Sequence, residues 1–187
     1  MKKESLKKAG IWALAVGLFM AHFLFRSVAH ADEGAGWQQV FPQGGNCSIS
    51  FPTTPQMVRQ SLKIPENGQK LHYDVYLSPY DDKGVFLLLI ATYPKVIPSG
   101  HEIAGLEGLI RGIVGHNPEN ALVYADLVEF NSRPAINFLI QSGANYFRGT
   151  TLMSGNKLFL IAMEGKKGTL EETIFTRFIQ SFQLLAK

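Results

Sequence analysis

His72 and Asp74 stand two residues apart, and together they could form half of a metal site. The stretch Gln69 to Leu77 alternates as a strand does. It sets Leu71, Tyr73, Val75 and Leu77 on one side and Lys70, His72, Asp74 and Tyr76 on the other. Nothing at a recognisable ligand spacing supplies the rest of a metal site. His101 and His116 bracket an expected helix and lie about 22 Å apart at 1.5 Å per residue, too far to share an ion within one chain. No metal is expected. The polar side of this strand is instead the sequence's candidate contact surface, with His72, Asp74 and Tyr76 as its binding residues.

Nucleophilic chemistry finds little support. There is no G-x-S-x-G elbow and no H-E-x-x-H pair. Cys47 is the only cysteine, so no disulfide can form within the chain. Its flanks carry no activating signature, and it reads as a small buried hydrophobe, with an intermolecular disulfide as the functional alternative. Gly105, Gly108 and Gly112 lie inside a helical pattern, not in a strand-to-helix loop. They therefore read as points of close approach to a sheet and not as a phosphate cradle. Arg133 and Arg148 border the last strands and could hold a carboxylate in a fork, though surface pairing is the commoner use of such residues. Asn137, inside an apolar run, is expected as a hydrogen-bonded amide. No catalytic residue and no cofactor is expected, and the chain is not expected to be an enzyme.

The elements that would position these groups follow from periodicity. Trp37–Phe41, Ser48–Phe51 and Met57–Ile64 read as short strands, with a turn at Pro65–Gly68. Val85–Ala91 and Leu158–Met163 show no polar alternation, so both are expected in the middle of a sheet covered on both faces. Leu122–Phe130, Ala135–Ile140 and Tyr146–Met153 complete the strands, and Ser154-Gly155-Asn156 supplies a tight turn. Ser99-Gly100-His101-Glu102 and Thr169-Leu170-Glu171-Glu172 both fit the capping-box pattern of a helix start. The first opens a helix with Ile103, Leu106, Ile110, Ile113 and Val114 on one face, closed by Gly115. The second opens about three turns carrying Leu170, Ile174, Phe178 and Phe182. The expected class is α+β: one antiparallel sheet of about six to eight strands, flanked by helices on both faces.

The N-terminus has the three regions of a secretory signal peptide. Lys2, Lys3, Lys7 and Lys8 precede the apolar run Ile11–Phe25, and the small-residue site Ala29-His30-Ala31 follows, with cleavage expected between Ala31 and Asp32. An uncleaved anchor is the alternative, and membrane contact would then run through this segment alone. The whole chain has 18 basic and 15 acidic residues and a net charge of +3. Five of those bases and Glu4 belong to the leader, which leaves 13 and 14, or about −1. A near-neutral mature surface has no bulk attraction to phosphate backbones, so nucleic acid is not an expected partner. The expected division is a leader over 1–31, a flexible mature N-terminus over 32–46 and a single α+β domain over 47–187.

Phe51-Pro52, Tyr73-Asp74-Val75-Tyr76, the Arg148 strand, and Lys157-Leu158-Phe159-Leu160 leading to Phe178-Ile179-Gln180-Ser181-Phe182-Gln183-Leu184 together resemble the PsbP-like family. The resemblance runs from about Cys47 to Leu185 and rests on packing motifs. That family includes extrinsic photosystem subunits, a nuclear-transport cofactor that binds Ran, and bacterial exported proteins of unknown role. The resemblance implies a central antiparallel sheet between helices and a binding or assembly role without catalysis. It carries over no partner-binding residue. The expected function is an exported binding or assembly module of the periplasm or cell envelope, with an envelope protein or a small ligand as partner. A periplasmic enzyme with a non-motif active site is the alternative.

Overall fold

The computed structural model describes residues 36–63, 68–98, 100–169 and 171–185. The leader, its cleavage site at Ala31 and Asp32, the Pro65–Asn67 turn, Ser99 and Leu170 lie outside the described residues. Ten strands and two helices are present among those described. The strands are β1 (Gln38–Val40), β2 (Cys47–Phe51), β3 (Gln56–Lys63), β4 (Lys70–Tyr80), β5 (Gly84–Thr92), β6 (Asn120–Phe130), β7 (Arg133–Ser142), β8 (Asn145–Ser154), β9 (Lys157–Lys166) and β10 (Gln183–Leu184). The helices are α1 (Glu102–His116) and α2 (Glu172–Gln180).

Seven strands form one antiparallel sheet in the order β3-β4-β5-β9-β8-β7-β6. β5 and β9 sit at its centre, as their apolar runs require. Their side chains alternate between two cores. Leu87, Leu89 and Leu160 enter the cluster beneath α1, whereas Phe86, Leu88 and Ile161 enter the cluster on the opposite face. Each strand therefore needs an apolar residue at every position.

The expected helix-sheet-helix sandwich is overturned. Among the described residues the protein is mostly β, 55% strand and 17% helix, with a second antiparallel sheet of order β1-β2-β10. α1 covers one face of the large sheet. The opposite face is met by the small sheet, through Ile49 and Phe51, with the nine-residue α2 beside it. Two local features explain the difference. The stripe Ile174–Phe178–Phe182 does not continue as helix: Phe182 lies past the helix end, and Gln183 and Leu184 pair with Ser48 and Cys47. Gln38–Val40, within the segment expected to be flexible, pairs with Ile49–Phe51.

Neither capping box forms as expected. Helix α1 is capped at His101 without a side-chain bond, and the Glu102 carboxylate accepts from the Gly100 N–H at 2.6 Å. Thr169 is not the cap of α2. Its hydroxyl lies 2.8 Å from the carbonyls of both Lys83 and Lys166, which ties the chain before α2 to the β4–β5 turn. α1 ends at His116, one residue beyond the expected Gly115.

Candidate functional site

The candidate strand β4 begins in water and ends in the core. Lys70 and His72 are exposed and Asp74 is half-buried, but Tyr76 is only 7% exposed and packs in the cluster with Cys47 and Ile49. The expected contact surface therefore loses Tyr76, because the small sheet covers this face from that residue onward. Asp74 is also engaged. Arg59, its cross-strand partner, donates Nε to Oδ1 at 2.7 Å and Nη2 to Oδ2 at 3.1 Å. Both carboxylate oxygens are held in a fork, and half a metal site with His72 does not arise. Among the described residues, no group of three or more His, Cys, Asp or Glu is placed to hold a metal ion.

Cys47 lies in the core. Burial pushes its thiol up to about 12, with Lys157 opposing weakly. The thiolate is the reactive form, so this sulfur is chemically quiet and inaccessible for an intermolecular disulfide. A thiol reagent should find no reactive group in the native protein and one per chain in denaturant. Rapid native labelling would contradict the burial.

Arg148 is engaged on two sides. Its guanidinium forks onto Glu172, with Nη1 to Oε2 and Nη2 to Oε1, the latter at 3.0 Å, and it lies 4.2 Å over the Phe175 ring. The pairing raises the Arg148 pKa and holds the Glu172 carboxyl below the usual carboxylate range, in each case chiefly through their shared hydrogen bonds. This is a clamp between β8 and α2. Arg148→Met is expected to lower stability by about 1–2 kcal/mol, with Arg148→Lys recovering charge but not the fork. The pH dependence has a definite sign. A carboxyl with a depressed folded pKa contributes stability that is present above its unfolded pKa. That contribution is lost as pH falls through the lower, folded value. Denaturant midpoints taken from neutral to acid pH should therefore fall less in Glu172→Gln than in wild type.

The other flagged groups are structural. Asn137 Oδ1 accepts from the Thr150 hydroxyl at 2.7 Å, as its apolar setting requires. Arg133 is exposed in the hairpin that joins β6 to β7. A shallow depression along α2, lined by Glu172, Thr176, Arg177 and Ser181, holds side chains already in use. Glu172 pairs with Arg148, Arg177 stacks 4.5 Å over Trp37, and Ser181 Oγ accepts from the Ser50 N–H at 2.9 Å. The buried Ser78 and the half-buried Thr53 form a closed network, with their hydroxyls 2.7 Å apart, that pins the chain after β2 to β4. None of these sets leaves a base aimed at a nucleophile.

No protein-family model and no curated protein sequence matches the chain. Among solved structures it is similar to a protein of Bacteroides thetaiotaomicron VPI-5482. That likeness has 12% identity and a TM-score of 0.46 over 81% of this chain and 49% of that one. The chain spans about half the length of that protein.

The surface feature that sequence reasoning missed is strand β6. It forms one edge of the seven-stranded sheet, is eleven residues long, and has exposed apolar side chains at Leu122 (46%), Val123 (53%) and Leu127 (60%). Its exposure follows from the path of α1. The helix ends beside the start of β6, where the Asn120 side chain donates to the Ile113 carbonyl at 2.7 Å. Its first turns lie over β8, where Gly105 faces Met153. The helix thus crosses the sheet diagonally and leaves Leu127, in the later half of β6, uncovered, while Leu122 and Val123 stand exposed at the irregularity beside the helix end. The opposite edge, β3, is guarded by Arg59 and Lys63, whereas β6 has no cation. Its sequence already gave a signal: Asn-Ala-Leu-Val-Tyr-Ala-Asp-Leu-Val-Glu-Phe lacks the polar alternation of an edge strand that faces water.

Proposed function

We propose that this chain is an exported, non-catalytic binding or assembly module of the bacterial cell envelope, and that β6 is its contact edge. The observation that carries this is the β6 edge itself: unpaired backbone donors and acceptors beside an exposed apolar stripe. Such an edge is a template for adding a strand. The charged groups support the same reading, because Arg59, Lys83 and Arg148 are each paired with a carboxylate that holds two elements together. The export half of the proposal rests on the leader pattern of residues 1–31.

The test uses the whole chain, produced with its own leader in a bacterial host. N-terminal sequencing of the envelope form is expected to start at Asp32. Under mild extraction the protein is expected to migrate in an assembly larger than one chain, and Leu127→Lys is expected to dissolve that assembly without changing the circular dichroism. Migration of the wild type as a single chain, or an assembly indifferent to Leu127, would remove the β6 reading.

A further inference from the structure

We infer that β6 pairs with β6 of a second copy of this chain, antiparallel about a two-fold axis through Leu127. This rests on the reading of β6 as the contact edge and names its occupant. The β6–β7 hairpin turns on Asn131 and Ser132, at φ 52° and 55°. In a two-residue turn of this kind the flanking pair, Phe130 and Arg133, exchanges both hydrogen bonds. Alternation then aims the backbone groups of Phe130, Val128 and Asp126 at β7, and those of Glu129, Leu127 and Ala125 outward. Pro134, opposite Glu129, agrees with this, because no bond to β6 is asked of its nitrogen at that pair.

Three limits select one register. The backbone is irregular between Leu122 and Tyr124, and the turn begins after Phe130, so regular pairing is confined to 124–130. Bonding needs outward residues opposite one another. Charge decides the rest. A pairing centred on Asp126 sets two carboxylates face to face, which is unfavourable. One centred on Val128 shortens the ribbon at the turn. Centred on Leu127, the ribbon uses the whole of 124–130. Leu127 then meets its own copy, Ala125 meets Glu129 of the partner subunit, Asp126 meets Val128 of the partner subunit, and Tyr124 meets Phe130 of the partner subunit. No like charges are opposed, an aromatic pair forms on one face, and the exposed Leu127 is covered on the other. About six backbone hydrogen bonds close the ribbon. The bulge and the two acids thus act as register selectors.

A seven-residue ribbon is small beside the roughly 1,200–2,000 Å² of a stable complex. The dimer should therefore be weak, with Kd on the order of 10–100 µM. The experiment is sedimentation equilibrium of the chain as the envelope yields it, up to about 500 µM, a range set by that affinity. A monomer–dimer equilibrium is expected in the wild type. Leu127→Lys is expected to weaken it at least about tenfold, and Asp126→Asn is expected to leave it intact. In a second measurement, Leu127→Cys should oxidise to a cross-linked dimer, since opposed Cα atoms about 5.5 Å apart suit a disulfide, while Val128→Cys should not. Buried Cys47 does not compete. A monomer throughout, or a dimer that Leu127→Lys leaves unchanged, overturns the self-pairing. If the purified chain is monomeric while the envelope assembly still depends on Leu127, the self-pairing fails and the module reading stands. If neither assembly exists, both fail.

Discussion

Phe178→Ala is expected to cost about 3–5 kcal/mol, the range for emptying a fully buried aromatic site. The Phe178 side chain has 0% exposure. Its ring lies 4.7 Å from that of Phe86 in the large sheet and 5.4 Å from that of Phe51 in the small one. It therefore joins α2, β2 and β5 at one point. Native domains are stable by only about 5–15 kcal/mol, so this one change could remove a large part of the total. Denaturant unfolding should show a lower midpoint. Hydrogen exchange should show lost protection first in α2 and in the β2–β10 pair, with β8 and β9 protected longest. Leu127→Ala is the control. Its side chain is mostly in water, so it should move the midpoint by less than about 0.5 kcal/mol. A loss at Phe178 below about 1 kcal/mol would mean that the layer packed on that face is not held by the aromatic contact.

That junction also shows where the sequence stops being informative. The centre of the large sheet was legible because β5 and β9 face two cores, and a strand apolar at every position has few other uses. α2 was legible as an amphipathic stripe. The layer around it was not. β2 and β10 meet across more than 130 residues of chain, and β10 has two residues, so no local pattern announces the pair. Without that pair the Phe-rich tail reads as more helix, and the covering layer reads as helical. The same gap displaced the candidate site. Alternation correctly put Tyr76 on the side of His72 and Asp74, but it cannot say where along β4 the second layer begins. Cross-strand chemistry was equally hidden: Arg59 faces Asp74 only once the β3–β4 register is known. The missing polar alternation of β6 was visible in the sequence, but whether a helix lies over such a strand or passes it diagonally was not.

Glycine gives the second large effect, and the decisive residue is not among those the sequence brought forward. The helical glycines drew notice as points of close approach. Gly105 does face the sheet, yet a Cβ there would meet Met153 Cε at 2.6 Å, the free end of a flexible side chain. Met153 can turn aside, and Ala favours a helix over Gly by about 1 kcal/mol, so Gly105→Ala should be close to neutral. Gly149 is the opposite case. It lies in β8 opposite Ala162 of β9, in the middle of the large sheet. A Cβ there would stand 2.5 Å from the Ile161 carbonyl oxygen, 2.8 Å from Ala162 Cβ and 3.0 Å from Ala162 Cα. These are parts of a strand paired on both sides, and they cannot rotate away. The β8–β9 ladder must open or shear to admit one methyl group. Gly149→Ala should therefore cost about 1–3 kcal/mol, the usual range for overpacking, and should do so despite the lower chain entropy that Ala brings to the unfolded state. The decisive measurement is the difference between the two glycines in one denaturant series. Equal effects would show that backbone proximity does not set the cost. A large loss at Gly149 with little change at Gly105 would show that the backbone contact between β8 and β9 yields less than the methionine end that faces α1.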